Sequence, residues 1–413
     1  MIAEILCIGT ELLMGQILNT NAQFLSRRLS ELGISCYHQT TVGDNAERLS
    51  VALKTALSRA DVVITTGGLG PTVDDITKRV TAQVVGKPLV LRPEAEGMVR
   101  SRFQAMCRPM ANNNLSQAMF TPDTILLDNP NGTAPGALVP AGEERVVFHL
   151  PGPPVEMAPM FDTHVAPWLS RRSGLSFVSR YIRIFGMGES DVDARLHDLE
   201  MESNPTLSPY CSLGEVQLRA TASAPTREEA LALLAPRIAE VQARLGDVIY
   251  AIDEDNRGSL AEAAMKTLRE KGWTACVAES LTGGMICQSL VSIPGASKVL
   301  LGGFVTYTDA MKTAMLGVPE SLLSAHGAVS EACARAMAQG ALKASGADVA
   351  LAATGLAGPD GGTEATPVGT VYLAIATAEG VLCTHHKFMG DRHRIRTLST
   401  LHGLNALRLA ARA

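Results

Sequence analysis

Apolar positions near the start of the chain alternate between two rhythms. Residues 4–8 form a β-branched run that ends at Gly9-Thr10-Glu11. Residues 21–32 follow with helical spacing (Phe24, Leu25, Leu29, Leu32) and stop at Gly33. Residues 34–42 predict a strand, 46–57 a helix and 61–65 a buried strand. This βαβαβ order implies an α/β fold with a mainly parallel sheet covered by helices. Ligands of such sheets sit at the carboxyl ends of the strands.

The same alternation returns in the last third. Ser259-Leu260-Ala261-Glu262 is a capping box opening a helix that runs to Lys271 and ends at Gly272. A strand over 274–277, a helix over 285–291 and an apolar run over 298–307 come next. Ser330 caps an alanine-rich helix to residue 344, and 348–354 is a strand that empties into a glycine loop. Strands over 370–377 and 381–388 precede a final helix opened by residues 390–396. Between the two α/β regions, Arg171-Arg172-Ser173-Gly174 reads as a linker. A smaller α+β unit follows: a strand over 181–185, a turn over 186–190, a helix over 191–199, a strand over 215–222 and an amphipathic helix over 227–245.

Composition narrows the class. At 413 residues the chain exceeds what one core usually serves, so two or three domains are expected. A hydrophobic content of 46% with 19% charged residues fits compact globular domains and excludes disorder. The net charge of −5 argues against a general nucleic-acid binder. The eight cysteines show no zinc spacing and read as reduced thiols, and no run has signal-peptide or transmembrane character, so a cytoplasmic protein is expected.

Two glycine loops carry the candidate chemistry. In Gly67-Gly68-Leu69-Gly70-Pro71-Thr72-Val73-Asp74-Asp75 the glycines let backbone N–H groups approach a phosphate, and Thr72, Asp74 and Asp75 are expected to open the next helix. Those carboxylates can be helix caps or can hold a divalent cation against a diphosphate. No lysine stands at the Walker A position. In Glu279-Ser280-Leu281-Thr282-Gly283-Gly284 a serine lies at a strand-to-helix turn beside free N–H groups that favour a phosphate or an oxyanion. Such a serine is either a helix cap, the commoner use, or a nucleophile. A lysine such as Lys312 serves as base for a serine only if its surroundings depress its pKa; on its own it reads as a solvated surface residue.

Three motifs in order, Gly67 through Thr77, Asn129-Pro130-Asn131-Gly132-Thr133-Ala134-Pro135-Gly136 and Leu150-Pro151-Gly152-Pro153-Pro154-Val155-Glu156-Met157, resemble the molybdopterin-binding-like domain of the competence/damage-inducible protein CinA family. Ala278 through Gly284, Tyr307 through Lys312, Thr354 through Pro359 and Gly390-Asp391-Arg392 resemble the family's C-terminal domain, which also occurs alone as nicotinamide-nucleotide amidase. The resemblance implies a molybdopterin-binding-like three-layer domain over 1–170, a KH-like α+β domain over 171–252 and an α/β amidase domain over 253–413.

For the first domain it implies cleavage of ADP-ribose with a divalent metal (Mg, Co or Mn). Gly67, Gly68, Gly70 and Thr72 would hold substrate, and Asp74, Asp75, Glu11 and Glu156 would serve the metal and diphosphate. For the last domain it implies hydrolysis of nicotinamide mononucleotide without a cofactor. Ser280 would be the nucleophile, Lys312 the base and Tyr307 a guide for the ring. Thr282, Gly283 and Gly284 would supply oxyanion donors, while Thr354, Gly355, Gly358, Arg392 and Arg396 would bind the phosphate. Thr366 stands where the family often has lysine. Gly186-Met187-Gly188-Glu189 is acidic where an RNA-binding KH loop is basic, so the middle unit reads as structural or dimerising. A homodimer is implied by the family. Two other readings stay open: a first domain that binds a pterin or nucleotide without turnover, and a non-enzymatic partner in DNA uptake or repair.

Overall fold

The computed structural model describes residues 1–412. The chain divides into two compact units, Met1–Val178 with Thr221–Leu234 and Ser179–Ala220 with Ala235–Ala413.

The first unit is built on a six-stranded sheet. Its strands are β1 (Ile2–Ile8), β2 (Ser35–Val42), β3 (Val62–Thr66), β4 (Ile125–Leu127), β5 (Gly136–Pro140) and β6 (Val146–Leu150), in the order β2-β1-β3-β6-β5-β4. Strands β2, β1, β3 and β6 are parallel, whereas β5 and β4 run antiparallel. The helix Thr20–Glu31 follows β1 and the helix Ala46–Arg59 follows β2, each opened by an asparagine whose side chain accepts a backbone N–H.

Because β1, β3 and β6 are covered on both faces, they read as near-continuous apolar runs. Ala3, Ile5, Val62, Ile64 and Phe148 enter one core, and Leu6, Ile8, Val63 and Val147 enter the other. Full burial of each large side chain contributes about 1.5–3 kcal/mol. The exception inside β1 is Glu4, which is buried and takes two hydrogen bonds of 2.8 Å from Arg59 at the end of its helix.

Residues 171–173 are no linker. They form the last turn of the helix Ala166–Ser173, which Gly174 ends in the left-handed conformation. The middle sheet consists of β7 (Ser176–Phe185), β8 (Thr206–Ser212), β9 (Glu215–Ala224) and β10 (Ile249–Asp253), ordered β8-β9-β7-β10. The helices Glu189–Glu200 and Arg227–Leu245 accompany it.

The last sheet comprises β11 (Ala275–Glu279), β12 (Leu300–Val305), β13 (Val349–Gly355), β14 (Thr370–Thr377) and β15 (Gly380–Lys387), ordered β12-β11-β13-β14-β15. Here β12, β11 and β13 are parallel and the last two strands antiparallel. On one face Val277, Leu351 and Ile375 share a core with Ala264 and Leu268 of the helix Leu260–Lys271 and with Ile395 and Leu407 of the helix Arg392–Ala410. The other face is lined by alanines, among them Ala350, Ala352 and Ala374, beneath the helix Glu331–Ser345. At Gly340 of that helix an added Cβ would lie 1.9 Å from the Leu316 carbonyl oxygen, so only glycine fits this approach. Of the predicted capping box at Ser259, the half in which Ser259 Oγ accepts the Glu262 N–H is present. No helix among the described residues is long and apolar enough to cross a membrane.

Candidate functional site

In each unit the candidate residues, apart from Arg392 and Arg396 on the final helix, leave the carboxyl ends of three adjacent parallel strands. In the first unit these are β1, β3 and β6. Their loops bring Gly9, Glu11, Gly67, Gly68, Gly70, Asp74, Asp75, Gly152 and Glu156 around one cavity of about 380 Å³. Gly67 has φ +104°, and a Cβ there would lie 2.2 Å from the Ile8 carbonyl oxygen, so β1 and the loop meet only through glycine.

Asp74 and Asp75 do not cap the next helix. That helix starts at Thr77, with Ile76 at its N-cap and no side-chain cap. Asp75 instead accepts from Thr72 N (2.9 Å) and from the Thr72 hydroxyl, closing the loop on itself. Hydrogen bonding from Thr72 also holds the Asp74 carboxyl below its ordinary range. Thr72 thus shapes the loop, and it is not among the side chains lining the cavity. Glu156 accepts from Asn129 Nδ2 at 2.8 Å.

Three residues here escaped the sequence reading. Asp44 lines the cavity and accepts from Thr10 N (2.9 Å) and Thr10 Oγ1 (2.7 Å). Gln117 lines it from a 3₁₀ turn whose carbonyls, Ser116 O and Gln117 O, are held by buried Lys78 at 2.7 and 2.9 Å. Burial pushes the Lys78 ammonium down to about 7, opposed by the charge of Asp75. A lysine at the start of an otherwise core-facing helix was the available signal.

Among the described residues no three His, Cys, Asp or Glu side chains gather closely enough to hold a metal ion by themselves. The four carboxylates nevertheless share one cavity with the glycine N–H loop. That donor set fits a hard divalent ion bound by one or two carboxylates and completed by ligand phosphate oxygens.

In the second unit the strands are β11, β12 and β13. Ser280 follows β11, Thr306 to Lys312 follow β12, and Thr354 and Gly355 end β13. Lys312 Nζ lies 3.4 Å from Ser280 Oγ and 3.1 Å from Thr306 O, and 3.9 Å from Asp309 Oδ1. Lys312 is 1% exposed, so the solvated surface lysine expected from an isolated residue is excluded, and Ser280 is 8% exposed.

Ser280 is not a helix cap. The helix Met285–Val291 has Gly284 at its N-cap, and N–H groups of its first turn are taken by Glu279. Fully buried, Glu279 accepts from Gly284 N (2.8 Å), Ile286 N (3.2 Å) and Cys287 N (2.9 Å). The Gly284 N–H expected to face an oxyanion is therefore committed to a carboxylate. The N–H groups of Thr282 and Gly283 meet no acceptor among the described residues. An acidic residue just ahead of a glycine turn and a helix was the missed signal.

The remaining predicted residues converge in two ways. Arg396 donates to Leu281 O (2.9 Å) and Thr282 O (2.8 Å), clamping the serine turn. Arg392 donates to Gly358 O (2.8 Å) and to the Tyr307 hydroxyl (3.2 Å), tying the glycine loop to the exposed tyrosine. Thr354 Oγ1 gives its proton to Ala328 O at 2.7 Å, so as placed it is no donor to a phosphate. Thr282 Oγ1 and Thr306 Oγ1 are buried without partners.

Comparison with known proteins places all three regions of the chain in one family. Residues 4–171 match the model described as a probable molybdopterin binding domain, 179–251 the damage-inducible protein CinA KH domain, and 257–411 the CinA C-terminal domain. A putative competence-damage inducible protein of Symbiobacterium thermophilum is 48% identical, covering 99% of this chain and 98% of that one. A CinA-like protein of Dictyoglomus turgidum is 46% identical, covering 98% of each. The crystal structure of competence/damage inducible protein CihA from Agrobacterium tumefaciens is 40% identical over 37% of this chain and 94% of that one, with a TM-score of 0.36. With relatives matching end to end and all three domain models in order, the chain belongs to the competence/damage-inducible protein CinA family.

Proposed function

We propose that the chain is a nucleotide hydrolase with two sites: an amidase at Ser280 acting on nicotinamide mononucleotide, and a divalent-metal-dependent pyrophosphatase at the Gly67–Asp75 loop acting on ADP-ribose. The observation that carries the amidase is the buried Lys312 amine 3.4 Å from the Ser280 hydroxyl. A serine and an amine brought together from two strand ends form a nucleophile and its base.

In this reading Ser280 Oγ attacks the carboxamide carbon while its proton passes to Lys312 Nζ. The developing oxyanion takes the free N–H groups of Thr282 and Gly283. The C–N bond then breaks, Lys312 returns the proton to the leaving nitrogen, and ammonia departs. Water attacks the resulting ester, giving one proton to Lys312 and then to Ser280, and nicotinic acid mononucleotide is released. Arg396 positions the turn through its two carbonyls, and Arg392 with Tyr307 forms the edge against which the nucleotide lies.

At the first site Asp74, Asp75, Glu11 and Glu156 would hold the ion together with the diphosphate. When bound, such an ion offsets diphosphate charge and acidifies a water. The glycine loop meets the phosphates with backbone N–H groups, and Thr72 keeps Asp75 turned into that loop.

Ammonia release from nicotinamide mononucleotide and AMP formation from ADP-ribose, measured on full-length Ser280→Ala, test both halves together. The variant is expected to lose the first and keep the second. Ammonia release surviving at the parental rate overturns the amidase, and a parent that makes no AMP with any divalent cation overturns the pyrophosphatase.

A further inference from the structure

The proton that leaves Ser280 makes a cation in a place shielded from water. Lys312 is 1% exposed, and its amine rests against the Ser280 hydroxyl (3.4 Å) and the Thr306 carbonyl (3.1 Å), neither of which carries a charge. A buried cation without a counter-charge is costly, so the groups around the amine decide how readily it forms. Among the described residues one carboxylate lies within ion-pair reach: Asp309 Oδ1 is 3.9 Å from Lys312 Nζ, three residues earlier on the helix Asp309–Leu316.

The other titratable neighbours do not fill this role. Fully buried Glu279, on the strand end that carries Ser280, commits its oxygens to three backbone N–H groups. Cys333 approaches from the helix Glu331–Ser345. Burial pushes its thiol up to about 11, with the Lys312 charge opposing and the Asp309 charge adding, so it stands neutral. An acidic residue in the first turn of a helix is commonly there for the dipole. Here Thr308 already caps the helix, its hydroxyl accepting from Met311 N at 3.4 Å, and Asp309 takes no backbone N–H among the described residues.

We propose that Asp309 is a positioning residue of the amidase: it supplies the counter-charge for the ammonium that Lys312 becomes on taking the Ser280 proton. The inference rests on the amidase reading above. Its effect has two opposed parts. In the resting site the carboxylate favours the protonated amine, so the base becomes available only at higher pH. Once the amine is free, the same carboxylate draws the Ser280 proton onto it, as a carboxylate does for the imidazolium of a Ser–His pair. The proton passes from Ser280 Oγ to Lys312 Nζ and on to the leaving nitrogen, and Asp309 keeps its charge throughout. Asp309 is 61% exposed, so water screens it and the effect is modest.

The pH profile of kcat for ammonia release from nicotinamide mononucleotide, measured on the full chain from about pH 6 to 10, tests this. In Asp309→Asn the acid limb is expected to move to lower pH by about half to one unit. The rate at the top of the profile is expected to fall roughly threefold or more, because the freed amine is a weaker base. Asp309→Glu, which keeps the charge on a longer arm, should return the limb most of the way to its parental position. An Asp309→Asn profile that superimposes on the parental one, or that drops evenly at every pH with no shift of the limb, overturns the role of Asp309 and leaves the amidase standing. So does an Asp309→Glu profile equal to that of Asp309→Asn. A parent that releases no ammonia from this substrate overturns the amidase, and the counter-charge with it.

Discussion

Lys312 Nζ stands 3.4 Å from Ser280 Oγ although 32 residues separate the two in the chain. The amine's other polar contact within hydrogen-bond range is the carbonyl of Thr306, which aims it along the strand end. Arginine at this position is a guanidinium that does not take up a further proton. Lys312→Arg and Lys312→Met should each slow ammonia release by roughly 10²–10⁴-fold, the usual range for a general base. A rate within a few-fold of the parent, in a variant with unchanged circular dichroism, would remove Lys312 from the reaction.

Glu279 presents a separate expectation about stability. Its fully buried carboxylate satisfies three backbone N–H groups. Glu279→Ala leaves them without an acceptor and should cost about 2–4 kcal/mol in urea unfolding. Glu279→Gln keeps one acceptor oxygen and should cost roughly half as much. An alanine variant as stable as the parent would show that the helix start is satisfied some other way.

The two arginines of the final helix should separate kinetically. Arg396 donates to the carbonyls of the serine turn, so Arg396→Ala is expected to lower kcat by about 10–100-fold with little change in KM, because the nucleophile loses its alignment. Arg392 reaches the exposed Tyr307 and the Gly358 carbonyl, so Arg392→Ala should act mainly on KM. Steady-state kinetics on nicotinamide mononucleotide decide the matter, and a reversed pattern would exchange the two roles.

His149 in β6 predicts a pH response of folding. Burial, with Lys78 nearby, pushes its imidazolium down to about 3 from an ordinary value of 6.5. Between those values the unfolded chain binds a proton that the folded chain does not, so stability rises with pH across that window. Acidification from pH 6.5 toward 3 should therefore weaken folding by up to about 1.4 kcal/mol per pH unit from this group alone. In His149→Gln that share of the slope should vanish. An unchanged slope between about pH 6 and 4.5 would mean that the ring is protonated in the folded protein.

Much of the architecture was legible because period and punctuation agreed. The helix over 285–291 follows Gly283-Gly284 and the strand over 370–377 follows Gly369, and both fall where expected. The tail of the first sheet was not legible: β4 and β5 are short and sit among prolines and asparagines that read as loop. At the sites, glycine loops and catalytic-type side chains were visible as motifs. Their local partners were not, because hydrogen-bond direction depends on tertiary approach. The Glu279 carboxylate turns back to the helix that begins at Met285, and Thr354 turns away to Ala328. The same holds for Lys78, whose burial is decided by a 3₁₀ turn 38 residues downstream.

Arg396 ties the Ser280 turn to the helix Arg392–Ala410, more than a hundred residues downstream. During synthesis the ribosome delivers the serine and its lysine well before this clamp, whereas the loops around Gly67 are complete much earlier. Domains emerging first fold first, so a premature stop anywhere between the codons of Lys312 and Arg396 should yield polypeptides that assemble the first cavity and never fasten the second. Messages truncated in this way would yield the first cavity without the second.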